Sequence, residues 1–320
     1  MTPKEFRGYQ VPLDQCNRIL QKASLAEAHS VCRFPRGEVS ACFALELADE
    51  SRVVLKVQIR TSAPQLLFAE REACALLCAA GVPVPEVLRV DVSEEVLPHG
   101  YSLLTWLPGQ DVVDALPGLE PADRRQVVRS LGRRLAQVHA VRRPAADASV
   151  LPWRRTIDKW AAERECEFRK LVREHRLRGF IPRCVLDRAE AAWEKWHQYL
   201  GHGHLCLLHG DGNLANAKVC CSRPEVTGIF DFDQTDVGEA EFDFAPMETW
   251  RLEGWEEHLR AEFHAGYREQ LPFAPGHGDR VRAYTLLRDL RIVLAYQGPN
   301  RPPYGAGSST ETIQRLIGEA

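Results

Sequence analysis

The sequence predicts an α+β chain in two unequal lobes, a small antiparallel sheet first and a larger, mainly helical lobe behind it. Three observations carry this expectation. Residues 30–58 read as three strands on short links, with Phe43, Leu45 and Leu47 recurring at period two in the second, the repeat of a half-buried strand. From residue 121 onward apolar side chains recur every three to four positions, the repeat of a helix face. Between two of those helical stretches, residues 205–245 combine short β-type runs with a dense set of His, Asp and Asn.

In order along the chain, residues 30–48 read as a strand, a turn around Pro35 to Ser40, and a second strand. In the second strand Phe43, Leu45 and Leu47 share one face while Glu46 points to the other. Asp49-Glu50-Ser51 is a polar turn, and Arg52 to Gln58, rich in β-branched residues, is a third strand. Neighbouring strands on short links most simply form an antiparallel meander. Thr61 or Ser62 can cap the next helix, with Pro64 near its first turn. That helix stops at Gly81, ahead of Val82-Pro83-Val84-Pro85, where each proline lacks an amide donor and restricts its predecessor. Val87 to Val90 and Tyr101 to Trp106 bring the lobe to about five strands. Leu107-Pro108-Gly109 marks the passage to the second lobe, so the division is 1–106 and 107–320. Helices are expected at 121–141, 155–175, 184–200, 252–268, 279–295 and 309–318.

Composition narrows the function classes. The 320 residues are 45% hydrophobic and 27% charged, an ordinary globular balance. A net charge of −3 argues against a broad phosphate-tracking surface, so no nucleic-acid partner is expected. Arg124, Arg125, Arg129, Arg133 and Arg134 share one helix without interleaved aromatic residues and read as a solvated face. Lys4, Glu5, Arg7, Asp14 and Arg18 leave no apolar signal core at the start. No apolar run approaches the ~20 residues of a membrane helix. A cytoplasmic protein with no membrane association and no obligate protein partner is expected. Ten cysteines are scattered, without paired CxxC units for zinc, and most are expected as small buried hydrophobes in a reducing compartment.

The chemistry concentrates in Leu208-His209-Gly210-Asp211-Gly212-Asn213-Leu214-Ala215-Asn216 and, after a hairpin-like turn at Ser222 to Glu225, Ile229-Phe230-Asp231-Phe232-Asp233. Flanking strands can hold Asp211, Asn216 and Asp231 together on a short loop. Phosphoryl transfer to an alcohol asks for position above all. A carboxylate beside the acceptor hydroxyl orients it and takes its proton. Magnesium takes hard oxygen ligands, which an Asp carboxylate and an Asn carbonyl supply while leaving room for phosphate oxygens and water. Asp211 is therefore assigned as the proton acceptor, Asn216 as the metal-ligand amide and Asp231 as the principal metal carboxylate.

These residues resemble the aminoglycoside phosphotransferase and choline kinase family, whose fold is protein-kinase-like. His209-Gly210-Asp211 followed by Asn216 is similar to the family's catalytic loop, and Ile229-Phe230-Asp231-Phe232 to its metal-binding strand end. Gly238-Glu239 with Asp243 resembles the segment that stabilises the loop. In the first lobe Leu55-Lys56-Val57 sits where the family carries its nucleotide-phosphate lysine. Arg71-Glu72-Ala73 resembles the helix segment whose glutamate pairs with that lysine, and Gly81 to Pro85 the link leaving that helix. Leu104-Thr105-Trp106-Leu107-Pro108-Gly109 resembles the hinge that borders adenine. The signals span about residues 30–245 in the family's order. The resemblance implies a bilobal kinase-like fold, ATP or GTP as phosphoryl donor, Mg2+, nucleotide contacts from Lys56, Glu72, Leu104 and Trp106, and loop support from His209 and Asp243. Gly212, Asn213 and Lys218 depart from the pattern, and the 34–42 loop carries Gly37 as its single glycine.

Each site residue has a plainer structural alternative. Asp211 can cap a loop, Asn216 can serve a turn, and Lys56 can face solvent from an edge strand. His209 reads as a structural tie because Asp211 fits the transfer better, Asp233 as either a second-metal or a supporting carboxylate, and Asp243 as a buried organiser. Trp193 and Trp196 read as packing. For the acceptor, Glu239, Glu241, Glu248, Glu253, Glu256 and Glu257 make the region after the loop acidic, suited to an amine-rich molecule. Glu248 and Trp250 are the candidate acceptor-binding pair, a carboxylate and an aromatic face. An aminoglycoside-type antibiotic is the leading acceptor. Another antibiotic, choline, a sugar or an amino alcohol is the alternative, and a catalytically weak nucleotide-binding regulatory module is the alternative outside catalysis. A protein kinase is disfavoured because no activation segment follows Asp231-Phe232.

Overall fold

The computed structural model describes residues 6, 8–35, 39–59, 63–142, 149–220, 222–249, 257–296 and 309–318. Strands β1 (Ala28–Arg33), β2 (Ser40–Leu47), β3 (Arg52–Gln58), β4 (Val87–Asp91) and β5 (Tyr101–Thr105) form one antiparallel sheet in the order β1-β2-β3-β5-β4. The meander expected from the sequence is β1-β2-β3. Alternation decides what each face carries. Phe43, Leu45, Val53, Leu55 and Val57 turn to one side, where helix α1 (Leu13–Lys22) covers them with Cys16, Ile19 and Leu20 at helical spacing. Lys56 therefore faces the other way, toward helix α2 (Pro64–Ala79). The proposed caps Thr61 and Ser62, and Gly37 of the turn, lie outside the described residues.

Helix α2 is shared property. Its Ala73, Cys74 and Leu77 belong to the same buried cluster as Val112, Val127, Ile229 and Phe232 of the second lobe, so the lobes meet through continuous packing. That second lobe contains α3 (Pro121–His139), α4 (Ile157–Arg178), α5 (Arg183–Trp196), α6 (Glu257–Arg268), α7 (His277–Ala295) and α8 (Ser309–Gly318). Every expected helix is present. Residues 252–256 of the fourth lie outside the described part, and the third gives way after Trp196 to a turn of 3-10 helix. Helices α3 and α6 touch backbone to backbone: a Cβ on Gly132 would stand 2.1 Å from the Phe263 carbonyl oxygen, and one on Gly266 1.9 Å from that of Arg129. Trp193 packs as read, stacked on Phe168 at 4.1 Å.

Two surface expectations need correction. The arginine face of α3 is partly engaged: Arg129 pairs with Glu262 and Glu269, and Arg133 with Glu269, tying α3 to α6. Nor are most cysteines buried. Of the described cysteines, all free, Cys16, Cys74 and Cys206 are buried while Cys32, Cys78, Cys166 and Cys184 are exposed, on faces turned to solvent. No helix among the described residues is long and apolar enough to cross a membrane.

Small strands set out the remaining machinery. β6 (Gln110–Asp111), β8 (Ala217–Cys220) and β9 (Glu225–Ile229) form one sheet, and β7 (Leu205–Leu208) pairs antiparallel with β10 (Asp236–Glu239).

Candidate active site

The loop leaving β7 is held from beneath by a buried carboxylate. Asp243 accepts the backbone N–H groups of His209 at 2.6 Å and Gly210 at 2.8 Å, and it also meets His139 Nε2 at 3.0 Å. The Tyr267 hydroxyl lies 2.8 Å from His139 Nδ1. With Nε2 donating to Asp243 and the hydroxyl donating to Nδ1, each group is satisfied, as burial demands. His209 joins the two halves of the site: its Nε2 donates to the Phe230 carbonyl at 2.9 Å, and its Nδ1 accepts the Asp211 N–H at 3.3 Å. Gly210 adopts φ +83°, and a Cβ there would fall 2.0 Å from the Gln234 carbonyl oxygen, so glycine alone allows this turn.

Asp211 and Asn216 meet directly. The Asn216 Nδ2 donates to the Asp211 carbonyl at 2.9 Å and stands 3.3 Å from its Oδ2. With its nitrogen so committed, the amide presents its carbonyl oxygen as the end available to a cation. Asn216 ends the 3-10 turn just before β8, and its backbone oxygen accepts the Phe230 N–H at 3.0 Å, which brings Asp231 alongside. Asp231 takes a left-handed conformation, φ +70°, rare outside glycine and typical of strained functional positions. Among the described residues no three His, Cys, Asp or Glu side chains make a ready cage for a metal. One carboxylate and one amide oxygen still fit magnesium, which keeps waters and phosphate oxygens in its shell.

Lys56, 6% exposed, closes the site from the sheet: its Nζ lies 2.6 Å from Asp231 Oδ1, 3.0 Å from Glu70 Oε1 and 3.4 Å from Asp233 Oδ2. Burial alone would discharge this ammonium, yet the surrounding carboxylates hold its pKa well above the usual lysine value. Burial also presses on Asp231, but the neighbouring ammonium wins and draws its pKa below the ordinary range. Asp233 goes the other way, to about 7, through burial and the nearby Asp231 charge.

The expected lysine partner was Glu72, and the structure replaces it with Glu70. Leu67, Glu70, Ala73, Cys74 and Leu77 are the buried stripe of α2, and a residue two positions on points to the opposite side. Glu72 instead receives the Ser149 hydroxyl and, at 2.8 Å, the Val150 N–H. The signal was present in the sequence as an acid inside an apolar i, i+3, i+4, i+7 pattern. Leu104 is buried in β5 opposite Val54. Trp106 stacks against Phe34 with ring centroids 6.1 Å apart, and the ammonium of Lys218, paired with Asp111 at 2.7 Å, lies 5.6 Å from the Trp106 ring.

The acidic stretch does not offer free carboxylates where they can be followed. Glu239 accepts N–H groups from Gly201 and Gly203 and the Tyr284 hydroxyl, Glu241 pairs with Arg280 at 2.6 Å, and Glu248 with Arg260 at 2.8 Å. Trp250, Glu253, Glu256 and the Glu257 side chain lie outside the described residues. Sequence reasoning also missed Arg288 on α7, whose Nη2 donates to Asp211 Oδ1 at 3.0 Å. The two residues are 77 positions apart, and nothing local announces the contact.

The model of the family described as the phosphotransferase enzyme family matches residues 30–284. The chain belongs to this family. Among curated proteins, the phosphotransferase is 26% identical over 251 residues to acyl-CoA dehydrogenase family member 10 of Mus musculus, covering 73% of this chain and 22% of that protein. It thus spans less than a quarter of that relative's length. Among solved structures, the phosphotransferase resembles the GDP complex of aminoglycoside 2'-phosphotransferase-IIIa, with TM-score 0.70, 13% identity, and 97% and 98% of the two chains covered. The streptomycin–ATP–APH(2")-IIa ternary complex gives TM-score 0.66 at 13% identity over 97% and 96% of the chains. The macrolide 2'-phosphotransferase MphH from Brachybacterium faecium gives 0.62 at 18% identity over 96% and 99%. The fold is thus the bilobal kinase-like one expected.

Proposed function

We propose that this phosphotransferase moves the γ-phosphoryl group of ATP or GTP onto a hydroxyl of a small molecule. The observation that carries the reading is the bonding of Asp211 to Asn216, and of Asn216 to the backbone beside Asp231, across from the Lys56–Glu70 pair. Residues 1–106 serve the nucleotide, with Lys56 directed at its phosphates and Leu104 and Trp106 bordering the base; residues 107–320 supply catalysis and the acceptor site. Asn216 and Asp231 would hold magnesium, which when bound neutralises charge on the phosphate oxygens. The acceptor oxygen forms its bond to the γ-phosphorus as the bond to the β-phosphate oxygen breaks. The hydroxyl proton passes to the Asp211 carboxylate, and the nucleoside diphosphate leaves. His209 and Asp243 act through the loop they hold.

Aminoglycosides and macrolides, named for the similar structures, are the first acceptors to try, with choline and sugars beside them. Incubation with ATP or GTP, magnesium and an antibiotic and metabolite library should add the mass of one phosphate to one compound class. Nucleotide binding without transfer to any alcohol would favour a regulatory module instead.

The sheet side of the site has its own test. Glu70→Gln should weaken nucleotide binding about tenfold, the worth of one charge-assisted hydrogen bond, while Glu72→Gln should leave it within about twofold. Titration of both variants by calorimetry distinguishes them, and the reverse ranking would restore Glu72 as the lysine partner.

A further inference from the structure

We infer that the acceptor carries an anionic group, a carboxylate or a phosphate, held by Arg288 next to the hydroxyl that is phosphorylated. This rests on the transfer function proposed above and names its substrate class. The two oxygens of Asp211 face different partners: Oδ2 the Asn216 amide at 3.3 Å, Oδ1 the Arg288 guanidinium at 3.0 Å. Asn216 leads to Asp231 and Lys56, the phosphate side. Arg288 therefore stands on the opposite edge of the carboxylate, where the acceptor comes in.

Its guanidinium is poorly used by the protein. The side chain is 18% exposed, and its Nε–H is buried with no hydrogen-bond partner among the described residues. A planar fork with donors to spare suits a carboxylate or phosphate that binds through two oxygens. An amine-rich acceptor would bring like charge against this group and lose affinity for it.

The space beyond is also rich in arginine. Val281, Thr285 and Arg288 fall at i, i+4 and i+7 on α7, one stripe of the helix. Val281 and Thr285 line a cavity of about 340 Å³ whose wall, among the described residues, also includes Arg260, Arg282, Arg315 and the carboxylate Glu248. Arg260 is the ion partner of Glu248, and Arg282 that of Asp279. Along the helix axis this cavity begins within about 10 Å of Arg288.

The decisive experiment pairs each anionic alcohol with its neutral counterpart: hydroxy acids with their amides, sugar phosphates with the free sugars, and aminoglycosides as the cationic arm. Phosphate transfer is read by mass and by steady-state kinetics on the wild type, Arg288→Gln and Arg288→Lys. The anionic member of a pair should be the better acceptor. Arg288→Gln should raise its KM about 10–100-fold, with Arg288→Lys intermediate and with the KM of the neutral counterpart shifted less than about threefold. A best acceptor that is cationic or neutral overturns the inference and leaves the transfer function standing. An equal rise in KM for the anionic and neutral members of each pair also overturns it, assigning Arg288 to the orientation of Asp211. Transfer to no alcohol, with magnesium-dependent nucleotide binding intact, removes the transfer function and this inference together.

Discussion

Asp211→Asn should lower kcat by about 10²–10⁴-fold, the range supplied by a positioned general base, and leave nucleotide affinity within about twofold. The amide keeps the shape of the carboxylate and removes its ability to take a proton. The loop has reasons to stay where it is. Asn216 Nδ2 and Asn213 Nδ2 donate to the backbone carbonyl of residue 211, and Asp243 holds the two preceding N–H groups. None of these bonds passes through the Asp211 carboxylate. Arg288 loses its ion partner, but solvent reaches both side chains, at 18% and 34% exposure, so the stability cost should be small. Initial rates with an alcohol that the wild type phosphorylates, together with nucleotide titration, check the split. A kcat near wild type would remove Asp211 from proton transfer.

Asp231→Asn should cost about 100-fold or more in magnesium-dependent nucleotide affinity, more than the loss typical for outer-shell residues, while lowering the melting temperature by less than about 5 °C. The two halves of that expectation have different causes. The carboxylate is the principal oxygen ligand proposed for the metal, and the amide that replaces it carries no charge to offset the cation. The free protein, however, crowds three carboxylates, Glu70, Asp231 and Asp233, around the single ammonium of Lys56. Neutralising Asp231 forfeits the attraction that holds its pKa down but relieves the repulsion that raises Asp233, so the two effects partly offset. Asparagine also tolerates the left-handed backbone that residue 231 adopts. A site kept ready for a doubly charged ion gives up stability when that ion is absent. Nucleotide titrations with and without magnesium, alongside thermal melts, test both halves. A melting temperature lowered by about 5 °C or more, with affinity retained, would make Asp231 a structural residue.

Much of this arrangement was legible because it is local. The period-two strands around Phe43 and Val54, the stop at Gly81 and the order of the later helices follow from backbone preference and apolar spacing. The loop of His209, Asp211 and Asn216 is readable for the same reason: a five-residue step is short enough for residue type and distance along the chain to define it. Glu72 shows where such reading slips, since a short motif names a residue type while the helix face decides which acid turns inward. Glu70 shares its stripe with Ala73 and Leu77, and the helical period selects it.

The order of elements and the loop that carries His209, Asp211 and Asn216 are properties the amino-acid sequence determined by itself, because each rests on contacts between residues near in the chain. The pairing of Lys56 with Asp231, the neutralised glutamates after residue 238 and the approach of Arg288 to Asp211 were decided only by tertiary structure. They join positions 175, 39 and 77 residues apart. A charged side chain keeps or loses its charge for a ligand according to which opposite charge folding brings beside it.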